Sequence, residues 1–97
     1  MASKSEAKRK YVVVRTYSAG VHVGELADRR EKEVDLVNAR RIWNWKGANT
    51  LHEVANHGVA TGSRVSEAVA EITVTEAIEV ITCSAEGEKA LREAAWG

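Results

Sequence analysis

The sequence predicts a mainly β (α+β) domain: a small, strongly bent antiparallel sheet with one short inserted helix and a C-terminal helix. Three observations point there. Valine-rich stretches recur at short intervals, and β-branched residues suit pleated, half-buried surfaces. Polar or glycine-containing clusters separate those stretches. Two sites carry helix-start signals ahead of short helix-forming segments.

Taken in order, Tyr11-Val12-Val13-Val14-Arg15-Thr16-Tyr17 is a strong strand signal. Ser18-Ala19-Gly20 interrupts it. Val21 to Leu26 resumes in an extended pattern, with Val21 and Val23 on one face. Asp28 to Lys32 reads as a charged turn. Glu33 to Val37 alternates again, with Val34 and Leu36 on one face, so the two strands form a hairpin. Asn38 to Trp45 continues the extended run up to Lys46-Gly47. Thr50-Leu51-His52-Glu53 has the form of a capping box, and Gly58 would stop a helix of about two turns. Residues 61–64 read as a loop. Two further strands follow, Ala70 to Thr75 and Ala77 to Thr82. Ser84 can cap a last helix from Ala85 to Ala95, despite the cost of Gly87. Gly20 to Arg41 resembles the middle strands of SH3-like and Sm-like barrels: a glycine-containing strand, a polar turn, then a strand ending in Asn-Ala-Arg. Such a barrel is the closed alternative to the bent sheet, and the likeness concerns shape only.

Ninety-seven residues make one domain, expected over 11–97, with 1–10 a flexible basic tail. A chain of this length buries roughly two-thirds of its unfolded surface. Apolar residues make up 44% of the chain, which argues against disorder. With three Trp, two Tyr and no Phe, the core must be aliphatic. The single cysteine, Cys83, excludes an internal disulfide. No apolar stretch follows the N-terminal methionine and no run reaches membrane-span length. The expectation is therefore a cytoplasmic setting with no membrane partner. Net charge is zero but unevenly placed. Residues 1–46 hold eleven Lys/Arg against six Asp/Glu, and residues 47–97 hold three against eight. Halves of +5 and −5 would fold onto each other or pair between copies, so a homo-oligomer is expected. Bulk nucleic acid is not an expected partner, because the chain lacks a positive excess.

The catalytic checks are negative. His52 and His57 are five apart, roughly 140° around a helix, whereas a zinc-protease helix needs a spacing of four. Cys83 reads as a small buried hydrophobe after a strand. Ser18-Ala19-Gly20 lacks the Gly-x-Ser-x-Gly elbow. Gly20 and Gly24 lack the Gly-Lys-Ser/Thr ending of a phosphate loop. Carboxylate pairs such as Glu71 and Glu79 fit a solvated strand face. No catalytic residue, metal or cofactor is expected.

Two stretches could bind a ligand. In Arg40-Arg41-Ile42-Trp43-Asn44-Trp45, an extended backbone puts Arg41, Trp43 and Trp45 on one face. A forked cation beside flat rings suits a nucleotide. The second stretch is Arg15 to His22. Its Ser-Ala-Gly break leaves backbone room, and Arg15, Tyr17 and His22 add polar reach. The candidate ligand-binding residues are Arg15, Tyr17, Ser18, Gly20, His22, Arg41, Trp43 and Trp45. The structural alternatives are a β-bulge at the break, a core or subunit-contact role for the tryptophans, and arginines paired with acids of the second half.

The segments VVVRTYSAGVHVGEL, NARRIWNWKGANTLHEVANHG and TEAIEVITCS together resemble a family of small tailed-bacteriophage proteins catalogued as a domain of unknown function. The likeness spans about residues 11–96, and Arg-Arg-Ile-Trp-x-Trp-x-Gly-Ala is its most specific element. Thr82 stands where the family pattern has a proline. The family has no established activity, so the resemblance implies no catalytic residue. It implies a phage gene product, acting in the cytoplasm of an infected bacterium or built into the virion. The expected function is a non-enzymatic, oligomeric binding module, sequestering a nucleotide-like ligand or a host defence signal, with a phage or host protein as the other expected partner. The alternatives are a structural virion protein such as a capsid decoration subunit and, more weakly, a nucleic-acid-binding module.

Overall fold

The computed structural model of the chain describes residues 9–18, 20–44, 50–59 and 64–94. Three strands come first: β1 (Tyr11–Thr16), β2 (Val21–Arg30) and β3 (Glu33–Asn44). A helix, α1 (Leu51–His57), precedes β4 (Arg64–Val65), β5 (Val69–Val74), β6 (Ala77–Thr82) and a second helix, α2 (Ala85–Glu93). The strands pair antiparallel in the order β4-β3-β2-β1-β6, and β5 also pairs with β3.

The bend follows from connectivity. β5 and β6 are separated only by Thr75 and Glu76, yet they pair with β3 and β1, which lie on opposite sides of β2. The sheet must curl for so short a link to reach both. Two main-chain hydrogen bonds hold the link: Tyr17 N–H donates to the Glu76 carbonyl, and Ala77 N–H donates to the Lys32 carbonyl. The sheet nevertheless stays open, so the barrel expected as an alternative does not close.

Curling gives the domain two apolar layers. The inner one holds Val12, Val14, Val34, Leu36, Ala39, Val74 and Ala77. The outer one holds Tyr11, Val13, Val23, Ile42 and Val65, and is covered by Val54, Ala55 and Leu91 of the helices. β1 supplies alternate residues to both layers, which is why Tyr11-Val12-Val13-Val14 reads as a continuous apolar run.

A bulge in β3 decides which side chains face inward. Val23 pairs with Arg40 and Glu25 with Val37, so β3 carries one residue more than β2 over this interval. Asn38 takes up the excess with φ of 53°, in the left-handed region that asparagine tolerates better than most residues. Val34 and Leu36 therefore share the inner face with Ala39 beyond the bulge. Gly24 lies opposite, where a Cβ would stand 3.0 Å from the Ala39 Cα, so the close approach suits glycine.

Both helix starts predicted from sequence are present. Glu53 N–H donates to the Thr50 hydroxyl, and Gly87 N–H donates to the Ser84 hydroxyl. Gly58 ends α1 and returns its N–H to the Val54 carbonyl. The sequence reading differs from the structure at several element bounds: β1 ends at Thr16, β5 runs from Val69 to Val74, and α2 ends at Glu93. The charged stretch expected as a turn is mostly strand, because β2 runs to Arg30 and only Glu31 and Lys32 turn. Arg64, read as loop, opens the short β4. Among the described residues, no helix is long and apolar enough to cross a membrane.

Candidate functional site: a cleft on the inner face

The bulge carries Arg41 to the inner face beside His22, its direct partner across β2 and β3. Val14 on β1 completes this row as the partner of His22. Gly20 lies next to it: a Cβ there would stand 3.6 Å from the Arg41 Nε, an ordinary contact. From these residues a cleft of about 370 Å³ extends along the inner face, lined by His22, Ala39, Arg40, Arg41, Ser66, Val69 and Ile72. Val69 and Ile72 reach it from β5, which pairs them with Ala39 and Leu36.

One wall is polar and one apolar. His22 is 4% exposed, whereas Arg41 is exposed to solvent. Ser66 is fixed by β3: Arg41 N–H donates to its hydroxyl at 2.9 Å, and its own N–H donates to the Arg41 carbonyl. The Ser66 hydroxyl proton points to the Glu67 carbonyl at 3.0 Å. That hydroxyl is thus engaged as both donor and acceptor, an arrangement for holding shape rather than for nucleophilic attack. Val69, at 47% exposure, is one of three conspicuously exposed large apolar residues among the described residues, and it forms part of the opposite wall.

Of the residues singled out by sequence, Gly20, His22 and Arg41 come together. Arg15 does not join them. It pairs with Val21, one step from the Val14–His22 pair, so strand alternation turns it to the outer face. There it lies 3.8 Å from Glu79 in an exposed ion pair. Tyr17 is 80% exposed between β1 and β2. Ser18 donates to the Glu76 carboxylate at 2.6 Å and so secures the β5–β6 link. The backbone of Trp43 belongs to β3, but its side chain and the whole of Trp45 lie outside the described residues, as does Ala19. Sequence reasoning missed Ala39, Ser66, Val69 and Ile72. Only the β-branched run containing Ile72 was visible, and nothing in it marked a cleft.

The neighbouring Arg40 has a different task. It is 8% exposed, and its guanidinium donates to the carbonyls of Ser66, Leu91 and Arg92. It therefore ties the last turn of α2 to β3, where a cation also suits the helix dipole. The acids of the second half are not its partners. Charges from the two halves do meet elsewhere, at Arg15–Glu79 and at Glu25–Arg92, 3.1 Å apart.

Burial pushes the Cys83 thiol up to about 12, with Glu88 adding to the effect, and the side chain packs against the helix-covered layer. Burial likewise pushes Tyr11 up to about 12, against the opposing charges of Arg92 and Arg40. The Arg92 guanidinium lies 4.6 Å from the centre of the Tyr11 ring. His57 lies on α1, 3.2 Å from Glu86 of α2, and His52 is exposed. Among the described residues, no group of three or more His, Cys, Asp or Glu is placed to hold a metal ion.

The fold and cleft together define a small, half-open β domain with a ligand-sized recess on its inner face. The family model described as a domain of unknown function (DUF6948) matches residues 9–91, and the chain belongs to that family. No curated protein and no solved structure matches the chain.

Proposed function

We propose that this chain is a non-enzymatic binding module that holds a small anionic, nucleotide-like ligand in the inner-face cleft. The observation that carries the reading is Arg41 beside His22 at one end of a recess whose other wall is Val69 and Ile72. A guanidinium offers forked donors to a phosphate, and the aliphatic wall offers contact to the flat face of a base. At about 370 Å³ the recess is at the small end of the roughly 300–1,000 Å³ range of ligand pockets, which suits one nucleotide-sized group. The likeness of the sequence to small tailed-phage proteins supports a phage origin. Sequestration of a host nucleotide signal in the infected cell is then the role in which such a module would act. The test is calorimetric titration with cyclic and linear nucleotides, with inorganic phosphate as a control. Wild type should bind at least one nucleotide. Arg41→Ala should bind it about tenfold or more weakly, the loss of one charge-assisted contact of about 1.5–3 kcal/mol. Wild type that binds none of them, or Arg41→Ala that binds as well as wild type, would overturn the reading.

A second reading, a virion component such as a capsid decoration subunit, draws support from the exposed apolar residues outside the cleft, Tyr17 and Ile78. Mass spectrometry of purified particles separates the two: an intracellular binding protein should be missing from them.

A further inference from the structure

Among the described residues β6 ends the sheet, with β1 on one side of it. Its hydrogen-bond phase can be read from one contact: Cys83 N–H donates to the Tyr11 carbonyl at 2.8 Å. This extends the register Val12↔Thr82 and Val13↔Ile81 by one step. In an antiparallel pair, hydrogen-bonded and non-hydrogen-bonded pairs alternate. Val13–Ile81 and Arg15–Glu79 are therefore bonded to each other, and the amides of Val80 and Thr82 point away from β1. The strand has the sequence AIEVIT, without the lysine or proline that commonly blunts a sheet edge. Ile78, set in the bulge where the register to β1 shifts, is 50% exposed.

We infer that this edge pairs with the same edge of a second copy, antiparallel about a two-fold axis at Val80, to form one continuous sheet. The charges select the register. An axis at Glu79 would oppose two like carboxylates, which is unfavourable across strands. An axis at Val80 places Glu79 opposite Ile81 of the partner, and each Glu79 keeps its own Arg15 at 3.8 Å. In this register the Val80 amides donate to each other's carbonyls across the axis. Each Thr82 amide donates to the partner's Ile78 carbonyl, and the bulge ends the pairing there. The contact is isologous and closes at two copies. It lies outside the cleft and does not depend on what the cleft binds.

The test measures the mass of the full chain by sedimentation across the micromolar range, alongside amide exchange by NMR. Wild type should sediment at twice 10.6 kDa, with the Val80 and Thr82 amides protected. Thr82→Pro removes an amide that makes no bond to β1, so it should keep the fold and raise the dimer dissociation constant at least tenfold. Ile78→Lys, a change at an exposed position, should do the same and decides the matter if the proline variant fails to fold. A wild type that stays monomeric throughout the range overturns the proposal. So does a dimer that survives these substitutions while the Val80 and Thr82 amides exchange as freely as exposed ones.

Discussion

Gly87 of α2 lies so close to the main-chain carbonyl of Ala55 in α1 that a Cβ on Gly87 would overlap the Ala55 oxygen. The two helices cross at this point, and Ser84 ties the crossing by donating its hydroxyl proton to the Asn56 carbonyl at 2.7 Å. A glycine inside a nine-residue helix costs about 1 kcal/mol relative to alanine. Here close packing offsets that cost.

Gly87→Ala should therefore destabilise the protein although it raises helix propensity. Overpacking against rigid backbone costs about 1–3 kcal/mol or more, which outweighs the gain of about 1 kcal/mol. A thermal melt should show a lower midpoint, by several degrees for each kcal/mol lost. A midpoint equal to or above wild type would show that the helices separate at little cost.

Arg40 and Arg41 are adjacent in sequence but should respond differently to truncation. Arg40→Met leaves the part-buried carbonyl of Ser66 and the buried carbonyl of Leu91 without their charged donor, at about 3 kcal/mol. Arg41→Ala removes an exposed side chain and should cost much less. Chemical denaturation of the two variants checks the ranking. Equal losses would mean that Arg41 also holds the fold.

Much of this architecture was legible in the sequence. The strands of Tyr11 to Val37, both helix caps and the two strands β5 and β6 follow from alternation, capping residues and turn clusters. The candidate site was less legible, and Asn38 is the reason. Strict alternation from Val34 and Leu36 places Arg40 inward and Arg41 outward. The one-residue bulge reverses both, aiming Arg41 into the cleft and Arg40 toward the helices. Nothing in Val37-Asn38-Ala39 announces the bulge, because asparagine is also common in ordinary turns. The pairing of Arg15 with Glu79 was equally hidden. It depends on which strand lies beside β1, and that is a long-range choice.

Stability should fall in acid through Glu25. Burial alone would raise its carboxyl. Hydrogen bonds from Asn38 and Arg92, with the charges of Arg92 and Arg9, outweigh burial and hold it below the usual carboxylate range. A depressed acid contributes stability that is fully present above its unfolded pKa of about 4.3. That contribution is lost as pH falls through the lower folded value. Glu25→Gln should thus melt below wild type at neutral pH, and the difference should shrink as pH falls through the lowered folded value. A difference that stays constant with pH would assign the effect to packing.

Cys83 should be a slow thiol. Its raised pKa leaves almost no thiolate at pH 8, and the thiolate is the reactive form. Alkylation by iodoacetamide in native buffer should run more than tenfold slower than for the unfolded chain, since the unfolded thiol titrates near 8.5. Labelling at the unfolded rate would mean that α2 lifts away from β6 easily.

The last prediction concerns the bulge itself. Asn38 sits at φ 53° and its side-chain amide donates to the Glu25 carboxylate at 3.2 Å. Two substitutions separate these contributions. Asn38→Gly keeps the backbone conformation without strain and loses only an exposed hydrogen bond, so its melting temperature should lie near wild type. Asn38→Val puts a β-branched residue into the left-handed region, at about 1–2 kcal/mol, and loses the same hydrogen bond. The valine variant should melt several degrees below the glycine variant. Its amide shifts should change at Ala39 and Arg41, the residues whose facing the bulge sets. Equal melting temperatures for the two variants would mean that β3 can shed the bulge, and the inward placement of Arg41 would then not be fixed by Asn38.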